Sequence, residues 1–148
     1  MIERPERPVA TVMSWPVATI DHEATLADAI EALAADAIGV VLVLRGGGLA
    51  GILSERDVVT HLAAGADPAH LLAGEAMVGD LVTVQGDESI LDAARAMLDA
   101  EVRHLPVLRD QLLAGVVSMR DVVAVLASAV DQDTVVVPSG TRVVVVGS

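Results

Sequence analysis

Two four-residue stretches of the chain carry side chains suited to binding a phosphate group and a sugar. They read Ser54-Glu55-Arg56-Asp57 and Ser118-Met119-Arg120-Asp121, and each follows a short apolar run. A serine hydroxyl and the free N–H groups at a helix start donate to phosphate oxygens, and an arginine adds a fixed positive charge. The aspartate accepts hydrogen bonds from sugar hydroxyls. The pattern therefore places phosphate donors and a sugar acceptor within one helical turn.

The same spacing is also that of a helix N-cap. A serine that caps a helix, followed by an acidic residue in the first turn, is a common local motif that needs no ligand. One copy alone would favour this structural interpretation. Two copies at matching positions, each with an arginine inside and an apolar run before it, favour ligand binding by at least one copy. The two roles are compatible, because a ligand can displace the cap.

Both stretches belong to an internal repeat with a period of 64 residues. Without any gap, Leu49-Ala50-Gly51 aligns with Leu113-Ala114-Gly115, and Arg56-Asp57-Val58-Val59 aligns with Arg120-Asp121-Val122-Val123. Identities that cluster in register indicate duplication rather than shared composition. The repeat unit is too long for a solenoid and predicts two units related by a pseudo-twofold axis.

Each repeat predicts the element order β-α-β-β-α. Thr25 and Ser89 each precede an aspartate by three positions, as in a capping box, so helices are expected over Leu26–Ala35 and Ile90–Ala100. Short strands are expected before each helix, over 17–20 and 81–84. Hairpins follow over 39–53 and 104–117, and a second helix begins after each serine of the paired motif. The predicted fold class is α/β (α+β), with the two motifs packed through their sheets because each is too small for its own core.

Composition also predicts the domain organisation. We expect an N-terminal extension over residues 1–9, a first motif over 10–64, a linker over 65–74, a second motif over 75–128 and a tail over 129–148. The linker contains two glycines and a proline. The tail has valine runs on both sides of Pro138-Ser139-Gly140 and predicts a β-hairpin that pairs with a sheet or with a partner chain.

Charge and residue usage exclude several classes of function. The net charge is −12 and all nine basic residues are scattered arginines, so neither nucleic acid nor an anionic membrane is an expected partner. There is no cysteine, no histidine spacing typical of a metal site, and no nucleophile beside a base. We therefore expect no catalytic residues, no metal and no required cofactor. The absence of a signal peptide or a long apolar run predicts a cytoplasmic protein.

The order of these motifs resembles that of the CBS domain family over about residues 10–128. The second repeat carries Met77, Val82-Thr83, Arg103-His104-Leu105-Pro106-Val107 and Gly115 to Asp121 in that order. The first carries Met13, Ala18-Thr19, Gly39 to Val43 and Gly51 to Asp57, and departs by lacking the histidine and proline of the central strand. The resemblance implies a CBS pair, a regulatory module rather than an enzyme.

The resemblance further implies that the module binds AMP, ADP, ATP or S-adenosylmethionine between its motifs, senses cellular energy state and forms a homodimer. One cleft would combine Ser54, Arg56 and Asp57 with Met77, Val82, Arg103 and His104; the other would combine Ser118, Arg120 and Asp121 with Met13, Ala18, Ile38, Gly39 and Val40. We expect the first to favour polyphosphates, because it has the additional Arg103. The alternative is a structural CBS pair with empty clefts that serves dimerisation or binds an unidentified regulated protein.

Overall fold

The computed structural model describes residues 6–132, with side chains described through residue 128. Its elements are β1 (Thr19–Asp21), α1 (Leu26–Ala35), β2 (Val40–Arg45), β3 (Gly48–Ser54), α2 (Glu55–Ala63), α3 (Ala73–Ala76), β4 (Val84–Gln85), α4 (Ile90–Ala100), β5 (His104–Arg109), β6 (Leu112–Ser118) and α5 (Met119–Gln132). The predicted α+β class and the duplicated β-α-β-β-α order are confirmed. The predicted tail hairpin lies outside the described residues.

Helices α1 and α4 begin where their capping boxes predict. The Thr25 hydroxyl accepts a hydrogen bond from the Asp28 N–H at 3.2 Å, and the Asp28 carboxylate accepts one from the Thr25 N–H at 3.0 Å. Ser89 and Asp92 form the same pair of bonds at the start of α4. Two of the N–H groups that a helix leaves unpaired are satisfied at each start. Each helix then buries an apolar face against its own sheet.

Each motif contains a three-stranded sheet with one parallel and one antiparallel pairing. The orders are β1-β2-β3 and β4-β5-β6, with the outer strands β1 and β4 parallel to the middle strands. Residues 40–43 of β2 are all buried because helices cover one face and the second sheet covers the other. The hairpins agree with the prediction, but β1 and β4 begin two and three residues later than expected.

The two hairpins close on two-residue turns in which both residues have positive φ. Gly46 and Gly47 have φ of 58° and 82°, whereas Asp110 and Gln111 have φ of 52° and 67° in the second motif. This conformation is that of a type I′ turn, whose twist matches the twist of the flanking strands. The glycines adopt it without the steric cost that Asp110 and Gln111 bear.

The segment that precedes each motif packs on the other motif. The peptide from Pro8 to Ser14 pairs with Ser89 and Val116 of the second motif, while the peptide from Leu72 to Val78 pairs with Thr25 and Ile52 of the first. Val9 is fully buried in the second core, and helix α3 is buried in the first. The sequence did not predict α3, since a four-residue helix has too short an apolar pattern to stand out.

A separate apolar cluster joins the two sheets across the pseudo-twofold axis. It contains Val40 and Leu42 of β2 with Val116 of β6 and the buried Val17. The apolar residues along β2 and β6 are therefore divided between two faces, one toward the helices and one toward the other sheet. The predicted packing through the sheets agrees with this cluster.

Candidate functional site

The two Ser-x-x-Asp stretches lie at the junctions of a strand with a helix. Ser54 ends β3 and Ser118 ends β6, and α2 and α5 start at the following residue. Strand pairing sets each serine beside the start of the central strand, Ser54 opposite Val40 and Ser118 opposite His104. The local fold therefore brings the helix start and the first residues of the central strand to one edge of each sheet.

Each of these stretches forms a capping box in the structure. Asp121 Oδ2 accepts from the Ser118 N–H and from the Ser118 hydroxyl, both at 2.9 Å, while Ser118 Oγ accepts from the Asp121 N–H at 3.1 Å. Ser54 and Asp57 make the same three bonds at 2.9, 2.8 and 3.1 Å. Within residues 6–132, every hydrogen bond that the carboxylates of Asp57 and Asp121 accept is made to Oδ2. The cap thus orients the Oδ1 atoms, which remain available for other partners. The Met119 and Asp121 N–H groups already donate to the Arg103 carbonyl and to Ser118 Oγ, so within the described residues the Arg120 N–H is the one of the first three helix-start donors left for another partner.

A cleft of about 680 Å³ opens beside the second box, and we call it the Ser118 cleft. Both motifs and the N-terminal segment contribute to it. Its lining consists of Ser14, Ala37, Ile38, Arg103, His104, Ser118, Met119, Arg120 and Asp121. The cleft has the volume of a small-molecule site and joins apolar side chains to a few polar ones.

Two arginines face a carboxylate in the Ser118 cleft. Arg103 and Arg120 are exposed, whereas Asp121 and His104 are half-buried. Burial lowers the pKa of His104 from its ordinary value of 6.5, and the charge of Arg103 adds to this shift. Hydrogen bonding to the Ile38 backbone and the charges of Asp121 and Glu55 oppose it. His104 is therefore mainly neutral at pH 7, and the lining carries a net positive charge within an acidic protein.

The lining of the Ser118 cleft contains predicted residues from both expected clefts. Arg103 and His104, expected beside Ser54, line the Ser118 cleft together with Arg120 and Asp121. The reason is strand register, since β5 pairs with β6 of its own motif and sets His104 opposite Ser118. Ile38 lines the same cleft, as expected.

The remaining predicted residues lie outside the lining of this cleft. Met13 packs on the second core and Met77 on the first, each beside the glycine of the neighbouring hairpin, Gly115 or Gly51. Ala18 packs on the first core. Val40 is buried between the sheets, and Val82 is exposed. Around the start of α2 lie Gly39, Ser54, Arg56 and Asp57.

Three lining residues were not predicted as part of a site. Ser14 reaches the cleft because the N-terminal segment pairs with Val116 of the second motif. Ala37 lies in the loop between α1 and β2, and Met119 is the first residue of α5. The position of Met119 inside the Ser-x-x-Asp stretch was the available signal for it. Nothing local in the sequence marks Ser14 or Ala37.

Among the described residues, no group of histidines, cysteines and carboxylates is arranged to hold a metal ion. Within residues 6–132, no helix is both long and apolar enough to cross a membrane.

The sequence profile of the CBS domain family matches residues 9–64 and 73–128. The mitochondrial CBS domain-containing protein CBSX3 of Arabidopsis thaliana is 33% identical over 116 residues, which span 74% of this chain but only 55% of that protein. A putative signal-transduction protein with CBS domains from Burkholderia ambifaria has a TM-score of 0.77 and 26% identity, with 88% of this chain and 99% of that chain covered.

A second similar structure is the cytosolic domain of the Mg²⁺ channel MgtE in complex with ATP. It has a TM-score of 0.68 and 27% identity, covering 81% of this chain and 49% of that chain. A duplicated β-α-β-β-α unit joined through its sheets defines a paired-domain module. The chain belongs to the CBS domain family and carries two CBS domains; proteins of this family are generally regulatory rather than catalytic.

Proposed function

We propose that the protein is a regulatory ligand sensor that binds an adenine nucleotide in the Ser118 cleft. The observation that carries the proposal is the grouping of two arginines, a helix start and an oriented aspartate around one cleft between the motifs. The volume of about 680 Å³ is in the range of sites for small organic ligands.

The chemistry of the lining assigns a place to each part of a nucleotide. The guanidinium groups of Arg103 and Arg120 and the Arg120 N–H at the start of α5 would hold the phosphates, because they supply positive charge and convergent donors. Asp121 Oδ1 would accept from the ribose hydroxyls while Oδ2 keeps the cap. Ile38, Ala37 and Met119 would contact the adenine ring. The similar MgtE domain, solved with ATP, supports a nucleotide as the ligand class.

Regulation would follow from the position of the cleft between the motifs. Ala37 and Ile38 belong to the first motif and Arg103 to Asp121 to the second, so a ligand that contacts both changes the free energy of their packing. Ser14 belongs to the N-terminal segment that packs on the second motif, so this segment also contributes to the cleft. Binding is therefore expected to stabilise one arrangement of the motifs, which a separate partner protein would read.

We also propose a homodimer that buries the outer faces of α2 and α5. Val59 and Val123 occupy equivalent positions in the repeat and are 64% and 53% exposed, and Leu62 on the same helix as Val59 is 41% exposed. The repeat thus presents matching apolar positions on two helices, as an interface between identical chains requires. The mass in solution of a Val59→Glu, Val123→Glu variant should fall to that of one chain. A wild-type protein that is already monomeric would contradict the dimer.

Binding is tested by isothermal titration calorimetry and thermal shift with AMP, ADP, ATP and S-adenosylmethionine. A ligand at 100 times its dissociation constant should stabilise the protein by about 2.7 kcal/mol. Asp121→Ala should abolish this gain. Asp92→Ala is the matched control, because it removes an equivalent capping aspartate that is not part of the cleft lining. Asp92→Ala should lower the free energy of unfolding yet leave the affinity unchanged.

Two outcomes would contradict the proposal. Equal loss of affinity in Asp121→Ala and Asp92→Ala would show that the cap, not the cleft, matters. The absence of any shift with all four compounds would favour a structural CBS pair. The capping boxes support that second candidate, since each serine and aspartate already satisfies the other without a ligand.

A further inference from the structure

The backbone around Ser54 repeats the geometry around Ser118. The Glu55 N–H donates to the Gly39 carbonyl at 3.1 Å, and the Met119 N–H donates to the Arg103 carbonyl at 2.7 Å. Val40 pairs with Ser54 as His104 pairs with Ser118. We call the first set, Gly39, Val40 and Ser54 to Asp57, the Ser54 site. Its backbone is equivalent to that of the Ser118 cleft, so any difference in ligand preference must come from side chains.

Those side chains differ at three of the equivalent positions, and at two of them the charge differs. Arg103 corresponds to Gly39, His104 to Val40 and Met119 to Glu55, while the arginine and aspartate of each motif are retained. The Ser118 cleft therefore has two arginines and one carboxylate at these positions, a net charge of +1 with His104 neutral. The Ser54 site has one arginine and two carboxylates, a net charge of −1.

The carboxylate of Glu55 also occupies space at the Ser54 site. Glu55 Oε1 lies 3.0 Å from the point where a Cβ atom on Gly39 would stand. At the equivalent point of the second motif, Arg103 has its side chain. An anion approaching the start of α2 thus meets a carboxylate where an anion approaching the start of α5 meets an arginine.

Resting on the proposed function, we infer that Glu55 restricts the module to one nucleotide per chain, bound in the Ser118 cleft, by repelling phosphate from the Ser54 site. Glu55 acts as a specificity-determining residue for the number and charge of ligands. The effect of one unit charge at about 6 Å, in a medium of effective dielectric constant about 40, is about tenfold in affinity. The Ser54 site has Gly39 and Val40 where the Ser118 cleft has Arg103 and His104, and this further lowers the phosphate affinity of the Ser54 site relative to the cleft.

The test exchanges the residue between the two equivalent positions, with ADP as the probe in calorimetry. Wild-type protein should bind one ADP per chain, and Asp121→Ala, not Asp57→Ala, should remove it. Met119→Glu places the carboxylate in the Ser118 cleft and should weaken ADP binding about tenfold. Met119→Gln removes the same methionine without adding a charge, so it is the reference, and the ADP affinity of Met119→Glu should be about tenfold below that of Met119→Gln. Glu55→Gln should add a second, weaker ADP site that Asp57→Ala then removes.

The outcomes separate this inference from the proposed function. Two ADP per wild-type chain, or one ADP lost in Asp57→Ala and kept in Asp121→Ala, would overturn the role of Glu55 while nucleotide binding stands. Equal affinities of Met119→Glu and Met119→Gln would also overturn it. If millimolar ADP bound neither to the wild type nor to Glu55→Gln, both the role of Glu55 and the proposed nucleotide binding would be overturned. Thermal unfolding without ligand checks that each variant is folded.

Discussion

Replacing Gly115 by alanine should separate the N-terminal segment from the second motif. An added Cβ would stand 2.6 Å from the Ser14 carbonyl oxygen and 2.8 Å from Met13 Sδ. The Ser14 oxygen belongs to a pair of backbone bonds, from the Ser14 N–H to Val116 at 2.8 Å and from the Val116 N–H to Ser14 at 3.1 Å. The methyl group and this bridge cannot occupy the same space, so the backbone must shift.

The magnitude follows from the contacts that would be lost. Overpacking by one methyl group in a close-packed region costs about 1–3 kcal/mol. Each backbone hydrogen bond contributes about 0.5–1.5 kcal/mol net, and two are at risk. The sum is about 2–6 kcal/mol of the free energy of unfolding, which for a chain of this length lowers Tm by roughly 6–18 °C. Because Ser14 lines the Ser118 cleft, ADP affinity should fall as well.

Urea denaturation followed by circular dichroism measures this change. Gly79→Ala is the control, because its added Cβ would find its nearest atoms at 3.8 Å. We expect the control to stay within about 1 kcal/mol of wild type. A Gly115→Ala variant that is as stable as Gly79→Ala would refute the reasoning, since it would mean that the bridge accommodates a side chain.

Three further predictions concern the cleft and the cores. Because burial lowers the pKa of His104, the unfolded chain binds more protons below pH 6.5, so stability should decrease as pH falls from 7 toward the folded pKa. A urea series from pH 7.5 to 5 should show a shallower decrease for His104→Gln, and equal slopes would contradict the assignment. Bound phosphate favours the imidazolium form of His104, so the ADP affinity of the wild type, but not of His104→Gln, should rise as the pH falls from 7.5 to 5. Calorimetry measures this affinity, and a decrease in the wild type would contradict contact between His104 and phosphate. Val9→Ala should lower the free energy of unfolding by about 1–3 kcal/mol, because Val9 precedes the first motif but is fully buried in the core of the second. An unchanged urea midpoint would show that the N-terminal segment does not contribute to stability. Leu42→Ala should lower the free energy of unfolding by about 2–5 kcal/mol, since Leu42 is fully buried in the apolar cluster between the two sheets. Separate unfolding transitions of the two motifs in this variant would indicate that the cluster couples them.

Local signals predicted the elements well where they were complete. The Thr25 and Ser89 capping boxes placed α1 and α4 with the bounds that the structure shows, because a cap acts within one turn of its own helix. The central strands were recognised as runs of buried branched residues. Strand β4 was expected to start earlier because residues 81–83 are apolar or β-branched, although only Val84–Gln85 pairs with β5.

Contacts between distant segments were not predictable in the same way. The expected grouping of Arg103 with Ser54 came from family resemblance, whereas the register of β5 on β6 sets His104 beside Ser118. The segments 8–14 and 72–78, the second of which contains α3, each pair with the motif that does not follow them in the chain. Neither segment has a local sequence pattern that signals this pairing. Likewise Ser14 and Ala37 become neighbours of Arg120 only through folding.

By itself, the sequence determined that the chain is a duplicated β-α-β-β-α module with a helix start, an arginine and an aspartate at equivalent points of each half. These properties depend on spacing along the chain and on local hydrogen bonds. Only the tertiary structure decided which residues share a cleft and that the two equivalent helix starts differ in charge around them. Those properties depend on strand register and on Glu55 folding over Gly39, which are set by long-range packing rather than by neighbours in sequence.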